Sequence, residues 1–167
     1  MTDGPGAHAP GRACDGERQA LVLDTNVVLD LFVFDDAKAR PLKNDLLQGA
    51  LHWLATPPMR DELARVLDYA HIAARLAAAG QCAGDVLAQF DRHVCIVAIA
   101  LRAPLSCSDP DDQKFIDLAV QHRCMLLSKD AAVLELKNRL ASLQVCASAV
   151  MPSLDHNSLG TALARKS

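Results

Sequence analysis

Short apolar runs alternate along the chain with longer segments in which apolar residues recur at helical spacing. Residues 20–23 form an apolar run that ends at Asp24, a pattern typical of a buried parallel strand. Strands that alternate with helices predict an α/β fold in which a parallel sheet is covered on both faces. The other strand candidates are Leu51–Ala55, residues 124–128 and residues 143–150, and residues 94–101 fit either a strand or an irregular segment.

The segments between these runs are predicted to be helical. Thr56 and two prolines open a helix over residues 59–70, because proline is tolerated in the first turn. Asp109 and Pro110 start another helix that runs to residue 123. The remaining predicted helical segments are residues 27–49, interrupted near residues 35–36 and at 41, and residues 71–80, 84–92 and 130–140.

The chain is predicted to hold one folded domain between two polar ends. A length of 167 residues suits a single core. Residues 1–18 contain four glycines and two prolines with few large apolar residues, so we expect a disordered tail there. Residues 19–152 are expected to form the domain, and residues 153–167 a polar C-terminal tail. Neither a secretion signal nor an apolar run long enough to span a membrane is visible, so we expect no membrane association.

Composition excludes several function classes. The net charge is −3 with a pI near 6.0, which argues against a generally basic nucleic-acid binder, and the aromatic fraction of 4% is too low for a base-stacking platform. Six cysteines without a CxxC pair indicate reduced thiols, and therefore a cytoplasmic protein. Six histidines lack metal-ligand spacing, so the sequence does not support a zinc site. The net charge of −3 is still compatible with an enzyme that binds nucleic acid through a metal cation.

Two acids follow predicted strands, and two others lie on the apolar faces of predicted helices. Asp24 ends the first strand and Asp130 follows the strand at residues 124–128, so both should reach the same sheet edge. Glu62 shares a helix face with Leu63 and Val66, whereas Asp61 points away. The second helical acid, Asp112, shares a face with Phe115, Ile116 and Ala119, whereas Asp117 is expected to face solvent.

Four carboxylates directed to one place cannot all stay ionised without a cation. Oxygen ligands select Mg²⁺ or Mn²⁺, and such a cation supports phosphodiester hydrolysis. Each of these acids also fits a purely local role. Asp24 fits an Asx turn, and Asp109 and Asp130 fit helix N-caps. Asp112 suits the dipole at a helix start, and Glu62 could extend to solvent.

Four motifs occur in a familiar order: LDTNV at residues 23–27, MRDEL at 59–63, CSDPDDQKF at 107–115 and LSKD at 127–130. This series resembles the PIN-domain family over residues 20–150, in particular its bacterial branch of toxins from toxin–antitoxin pairs. The resemblance implies a three-layer α/β/α sandwich with a parallel central sheet. It also implies an Mg²⁺- or Mn²⁺-dependent endoribonuclease that leaves a 5′-phosphate and a 3′-hydroxyl.

The resemblance assigns roles to individual residues. Asp111 competes with Asp112 for the third acidic position, and helical phase favours Asp112. Family members often form homodimers, and the toxins bind a small antitoxin protein. The residues implied as catalytic and metal-binding are Asp24, Glu62, Asp112 and Asp130, with Asn26 and Ser128 as polar supports of the first and last acids.

Two departures from the family pattern bear on activity. Lys129 stands where the family often has glycine, and it could bind phosphate or tie down Asp130. Cys107 and Ser108 replace an arginine that is common before the Asp-Pro pair. Lys129 and Arg60 are candidates for contacts with substrate phosphates.

Two rival functions follow from the same residues. A catalytically weak PIN module that binds RNA or a partner protein is the main alternative. A phosphatase that begins with an aspartate after its first strand would need a second aspartate where this chain has Asn26.

Overall fold

The computed structural model describes residues 18–151 and contains a parallel sheet of five strands in the order β3-β2-β1-β4-β5. The chain runs from the central strand outward in one direction and then crosses to the other side. The order in which strands are added therefore reverses between β1 and β4. Ligands of open α/β sheets bind at such a reversal point. The strands are β1 Gln19–Leu23, β2 Leu51–Ala55, β3 Val94–Ile96, β4 Met125–Leu127 and β5 Ala147–Ser148.

Eight α-helices connect these strands within residues 18–151, as expected for a three-layer α/β/α sandwich, so the predicted fold is confirmed. None of them is long and apolar enough to cross a membrane. The helices are α1 Thr25–Phe32, α2 Arg40–Leu47, α3 Pro57–Leu67, α4 Ala70–Ala78, α5 Ala83–His93, α6 Gln113–His122, α7 Ala131–Leu134 and α8 Lys137–Ser142, with 3-10 turns at Ala37–Ala39 and Pro110–Asp112.

The central strands are apolar because both faces of the sheet are covered. Leu21, Val22 and Leu126 are completely buried. Trp53 of β2 stacks on Phe32 with ring centroids 6.3 Å apart, and it meets Phe90 edge-on at 5.1 Å. These aromatic contacts join α1 and α5 to the sheet, and the resulting core holds the carboxyl ends of β1 and β4 in place.

The strand predicted at residues 143–150 was too long, and residues 94–101, which fit either a strand or an irregular segment, are a strand only in part. Strand β3 ends at Ile96, and the irregular chain beyond it is held by side chains of α6. Asp117 accepts hydrogen bonds from the backbone N–H of Ala103 at 2.9 Å and from Nε2 of Gln113 at 2.7 Å. The expectation that Asp117 simply faces solvent was therefore wrong. Strand pairing at the other edge is limited to Ala147–Ser148.

The predicted helices differ from the structure mainly at their ends. The expected interruption in residues 27–49 is confirmed, since α1 ends at Phe32 and Asp35 adopts a left-handed φ of 48°. The helix predicted at residues 130–140 is instead two short helices, separated by Glu135 and Leu136. Of the predicted N-terminal tail only Arg18 is described, and the predicted C-terminal tail lies outside the described residues.

Candidate metal centre

Asp24 lies at the carboxyl end of β1 and caps the N-terminus of α1. Its Oδ1 accepts a hydrogen bond from the backbone N–H of Val27 at 3.0 Å, and Oδ2 accepts one from Oγ of Ser128. Burial raises the pKa of Asp24 above its ordinary value of 3.8, and the charge of Asp130 adds to this rise. The hydrogen bonds from Ser128 and the backbone lower the same pKa and so favour the carboxylate.

Ser128 links the ends of the two central strands. It follows β4 and is fully buried, with its hydroxyl bonded to Asp24. The same Oγ accepts a hydrogen bond from the backbone N–H of Asp130 at 3.1 Å. Oδ1 of Asp130 in turn accepts from the backbone N–H of Ala132 at 2.9 Å and caps α7. Asp24 and Asp130 therefore meet at one edge of the sheet, as expected for residues that follow neighbouring parallel strands.

Asp109 and Asp112 reach this edge from the 3-10 turn that precedes α6. Oδ1 of Asp109 accepts a hydrogen bond from the backbone N–H of Asp111 at 3.0 Å. Side chains three residues apart in a 3-10 turn lie on the same side, so Asp109 and Asp112 face the same way. One carboxylate oxygen from each of Asp109, Asp112 and Asp130 lies within 4.8 Å of the other two.

Asp112 is the most perturbed acid of this group. Its side chain is only 8% exposed, and Oδ2 is buried with no hydrogen-bond partner among residues 18–151. Burial is the main reason that the pKa of Asp112 rises from 3.8 to about 7. A hydrogen bond between the Asp112 and Asp130 carboxyl groups, and repulsion from the charges of Asp130, Asp109 and Asp24, raise this pKa further. The turn thus places a carboxyl where a proton or a cation must compensate its charge.

Glu62 does not belong to the close cluster of carboxylates. It lies on α3 with its side chain 18% exposed, and its Oε1 is 2.6 Å from Nζ of Lys114. Nζ of Lys114 also donates to the backbone carbonyl of Asp111 at 2.6 Å. The fourth predicted acid therefore lies beside the 3-10 turn Pro110–Asp112, and its buried Oε1 pairs with the charge of Lys114 without making a hydrogen bond within residues 18–151. Sequence reasoning did not consider Lys114, and it interpreted Asp109 only as a helix cap.

The remaining predicted residues have other partners. The backbone N–H of Asn26 contacts the Asp24 carboxyl, whereas the Asn26 side chain is exposed. Lys129 forms an ion pair with Asp30 of α1, so it does not tie down Asp130. The other two predicted residues also lie outside the cluster. Arg60 binds Asp91 through two contacts of 2.7 Å, and the exposed Asp111 contacts Asp109 and Lys114 through its backbone N–H and carbonyl.

The residues present fit a hard divalent cation. The site offers oxygen atoms only, as Mg²⁺ and Mn²⁺ prefer, and one of them is a buried carboxylate oxygen without a partner in the described chain. Hydrogen bonds from helix caps use one oxygen, Oδ1, of each of Asp24, Asp109 and Asp130. A cation would relieve the repulsion that raises the pKa of Asp112.

Comparison with known proteins supports this chemistry at the level of the family. A family model described as PIN domain matches residues 20–132, which is more than half of the chain and includes every acid named above. Among curated proteins none matches the chain.

Proposed function

The chain belongs to the PIN-domain family, and from this premise we propose that it is an endoribonuclease that hydrolyses RNA phosphodiester bonds with Mg²⁺ or Mn²⁺. The observation that supports this proposal most directly is Oδ2 of Asp112, a buried oxygen with no partner in residues 18–151, beside the carboxylates of Asp109 and Asp130. Such an arrangement is costly for a protein that binds no cation.

In this proposal Asp109, Asp112 and Asp130, whose oxygens lie together, would hold the cation, and Asp24 would add its negative charge beside them. When bound, Mg²⁺ or Mn²⁺ supplies positive charge that polarises a water molecule and neutralises the phosphoryl oxygens. The chain's own residues keep the site in place before any ligand arrives. Helix-cap bonds fix one oxygen each of Asp24 and Asp130, and the buried Ser128 hydroxyl connects these two residues. Little reorganisation is then needed when substrate binds.

Cleavage of a labelled structured RNA tests the proposal. The wild type is compared with Asp24→Asn in Mn²⁺, Mg²⁺ and EDTA, and Asp61→Asn serves as a control because Asp61 is an exposed acid on α3. We expect metal-dependent cleavage in the wild type and the control, and a loss of at least ~100-fold in Asp24→Asn. Cleavage that Asp24→Asn retains would refute the site. A folded wild type that binds RNA but cleaves none would favour a binding module instead.

We further propose that the nuclease is the toxin of a toxin–antitoxin pair, acts in the cytoplasm as a homodimer and binds a small antitoxin. These proposals extend the family resemblance of the four motifs. Controlled expression in a bacterial host should arrest growth, and Asp24→Asn should restore it. A short reading frame next to the gene is the expected source of the antitoxin, and its co-expression should also restore growth. Growth that is unaffected by the active protein would refute the toxin role.

A further inference from the structure

We propose that Gln113 is a positioning residue of the metal centre. Its side-chain amide closes the stretch of chain that carries Asp109 and Asp112, and so it fixes where these two carboxylates lie. This inference rests on the proposed metal dependence of the protein. Nothing in the local sequence pattern singles out Gln113, which is the first residue of α6.

Gln113 ties together the chain that enters the acidic turn and the chain that leaves it. Its Oε1 accepts a hydrogen bond from the backbone N–H of Cys107 at 2.7 Å, and its Nε2 donates to the backbone carbonyl of Leu105 at 3.1 Å. The 3-10 turn Pro110–Asp112 lies between Cys107 and Gln113. Gln113 is buried, with 9% of its surface exposed, so water competes little for these hydrogen bonds.

The chain before the turn depends on α6 because it is not held by strand pairing. Residues 97–107 form neither helix nor strand. Three polar side chains spaced four residues apart lie on one face of α6 and accept hydrogen bonds from the backbone N–H groups of this segment. They are Gln113, Asp117 and Gln121. Of the three, Gln113 holds the part of the segment that is nearest to the acids.

The contacts of this side chain require an amide. It must accept from one N–H group and donate to two oxygens, the carbonyl of Leu105 and Oδ1 of Asp117, the latter at 2.7 Å. A carboxylate only accepts, so glutamate at this position would face both oxygens without a proton to share. An apolar side chain would leave the buried N–H of Cys107 without its acceptor.

The carboxylates that Gln113 keeps together repel one another. One oxygen from each of Asp109, Asp112 and Asp130 lies within 4.8 Å of the other two. Before a cation binds, this repulsion tends to open the turn, and the hydrogen bonds of Gln113 resist the opening. A cation then finds its ligands already arranged, which raises its affinity as other contacts around metal ligands do. Gln113 acts through the backbone of the turn and is not itself a ligand.

Mn²⁺ binding to the full chain, measured by isothermal titration calorimetry without RNA, tests the inference in Gln113→Met and Gln113→Glu. The second variant adds a negative charge, which by itself would attract Mn²⁺, so a loss of affinity there cannot be a charge effect. Gln121→Met is the matched control, because it removes the acceptor of the Leu101 N–H, at 2.8 Å, from the same helix but farther from the acids. Thermal unfolding checks that each variant is folded at the assay temperature, and hydrogen exchange measures the protection of the Cys107 amide.

We expect both Gln113 variants to bind Mn²⁺ at least ~10-fold more weakly than the wild type, with faster exchange of the Cys107 amide. Gln121→Met should stay within ~2-fold of the wild type. Unchanged binding in folded Gln113→Met, or equal losses in Gln113→Met and Gln121→Met, would overturn the inference. A wild type that binds no Mn²⁺ would overturn both the inference and the proposed function. The expected loss of Mn²⁺ binding, found together with a wild type that cleaves no RNA, would support the inference and count against the proposed function alone.

Discussion

Replacing Asp112 with asparagine should stabilise the metal-free protein at neutral and alkaline pH. Asp112 is 8% exposed, and its Oδ2 has no hydrogen-bond partner in the described part of the chain. Asparagine has nearly the same shape and carries no charge, so the substitution removes electrostatic repulsion without creating a cavity. Most substitutions of buried residues destabilise a protein, which makes this direction of change informative.

The magnitude follows from the perturbed ionisation of this group. Burial and the neighbouring acids raise the pKa of Asp112 from 3.8 to about 7. At about 1.4 kcal/mol per pKa unit, ionising it in the folded protein costs at most ~4 kcal/mol more than in the unfolded chain. Water that reaches the partly exposed Asp109 and Asp130 screens the repulsion, so we expect ~2 kcal/mol. In a domain of this size that corresponds to ~6 °C in Tm.

The sign of the pH dependence follows from the raised pKa of the folded state. Between pH 3.8 and about 7 the folded protein keeps a proton on Asp112 that the unfolded chain has lost, so stability falls as pH rises. The penalty is absent below this range and complete above it. The Tm values of wild type and Asp112→Asn should therefore converge near about pH 4 and differ most above about pH 7.

Thermal unfolding followed by circular dichroism in EDTA, at several pH values across this range, measures the difference. Asp61→Asn is the matched control, since it removes one exposed carboxylate and should follow the wild type at every pH. The reasoning would be refuted by an Asp112→Asn variant whose Tm runs parallel to that of the wild type, or lies below it at alkaline pH.

Three further predictions concern the surroundings of the site. Ser128→Ala removes the donor to the buried Oδ2 of Asp24 and should lower the free energy of unfolding by ~1–3 kcal/mol, with an unchanged Tm as the contrary result. Mn²⁺ should bind ~5-fold more weakly at pH 6 than at pH 7 by calorimetry, because the ion must displace the proton of Asp112; equal affinities would contradict this. Asp117→Ala should cost ~1–2 kcal/mol because the N–H of Ala103 loses its acceptor, whereas Asp117→Asn keeps an acceptor and should cost less than half as much in chemical denaturation. Equal losses in the two Asp117 variants would show that this hydrogen bond is unimportant.

Part of the site could be predicted because it depends on local regularities. Asp24 and Asp130 follow apolar strands, and parallel strands bring their carboxyl ends to one edge. Helical phase favoured Asp112 over Asp111 for the buried position, and the structure has Asp112 buried and Asp111 exposed. Capping of a helix by Asp130 was also foreseeable, whereas Asp24, which fits an Asx turn by sequence, caps α1. The structure shows that the Asp130 carboxylate serves both as a cap and as a member of the cluster.

Other features depended on contacts between distant parts of the chain. Capping alone is enough to account for Asp109 locally, so only the position of β4 beside the turn reveals that its carboxylate approaches Asp130. The short edge strands show the same limit: the apolar pattern of residues 94–101 suits a strand, but pairing with β2 ends at Ile96.

By itself, the sequence determined the parallel α/β fold, the family and the acids that end strands or lie on buried helix faces. Hydrophobic periodicity and the order of the motifs fix these features because each depends on neighbours along the chain. Only the tertiary structure decided which charges pair. Glu62 and Lys114 meet because α3 packs near the start of α6, and Lys129 turns to Asp30 because β4 lies beside β1 and its following helix. The energy of an ion pair depends on the distance between its charges in space, and helical or strand patterns in the sequence do not determine that distance.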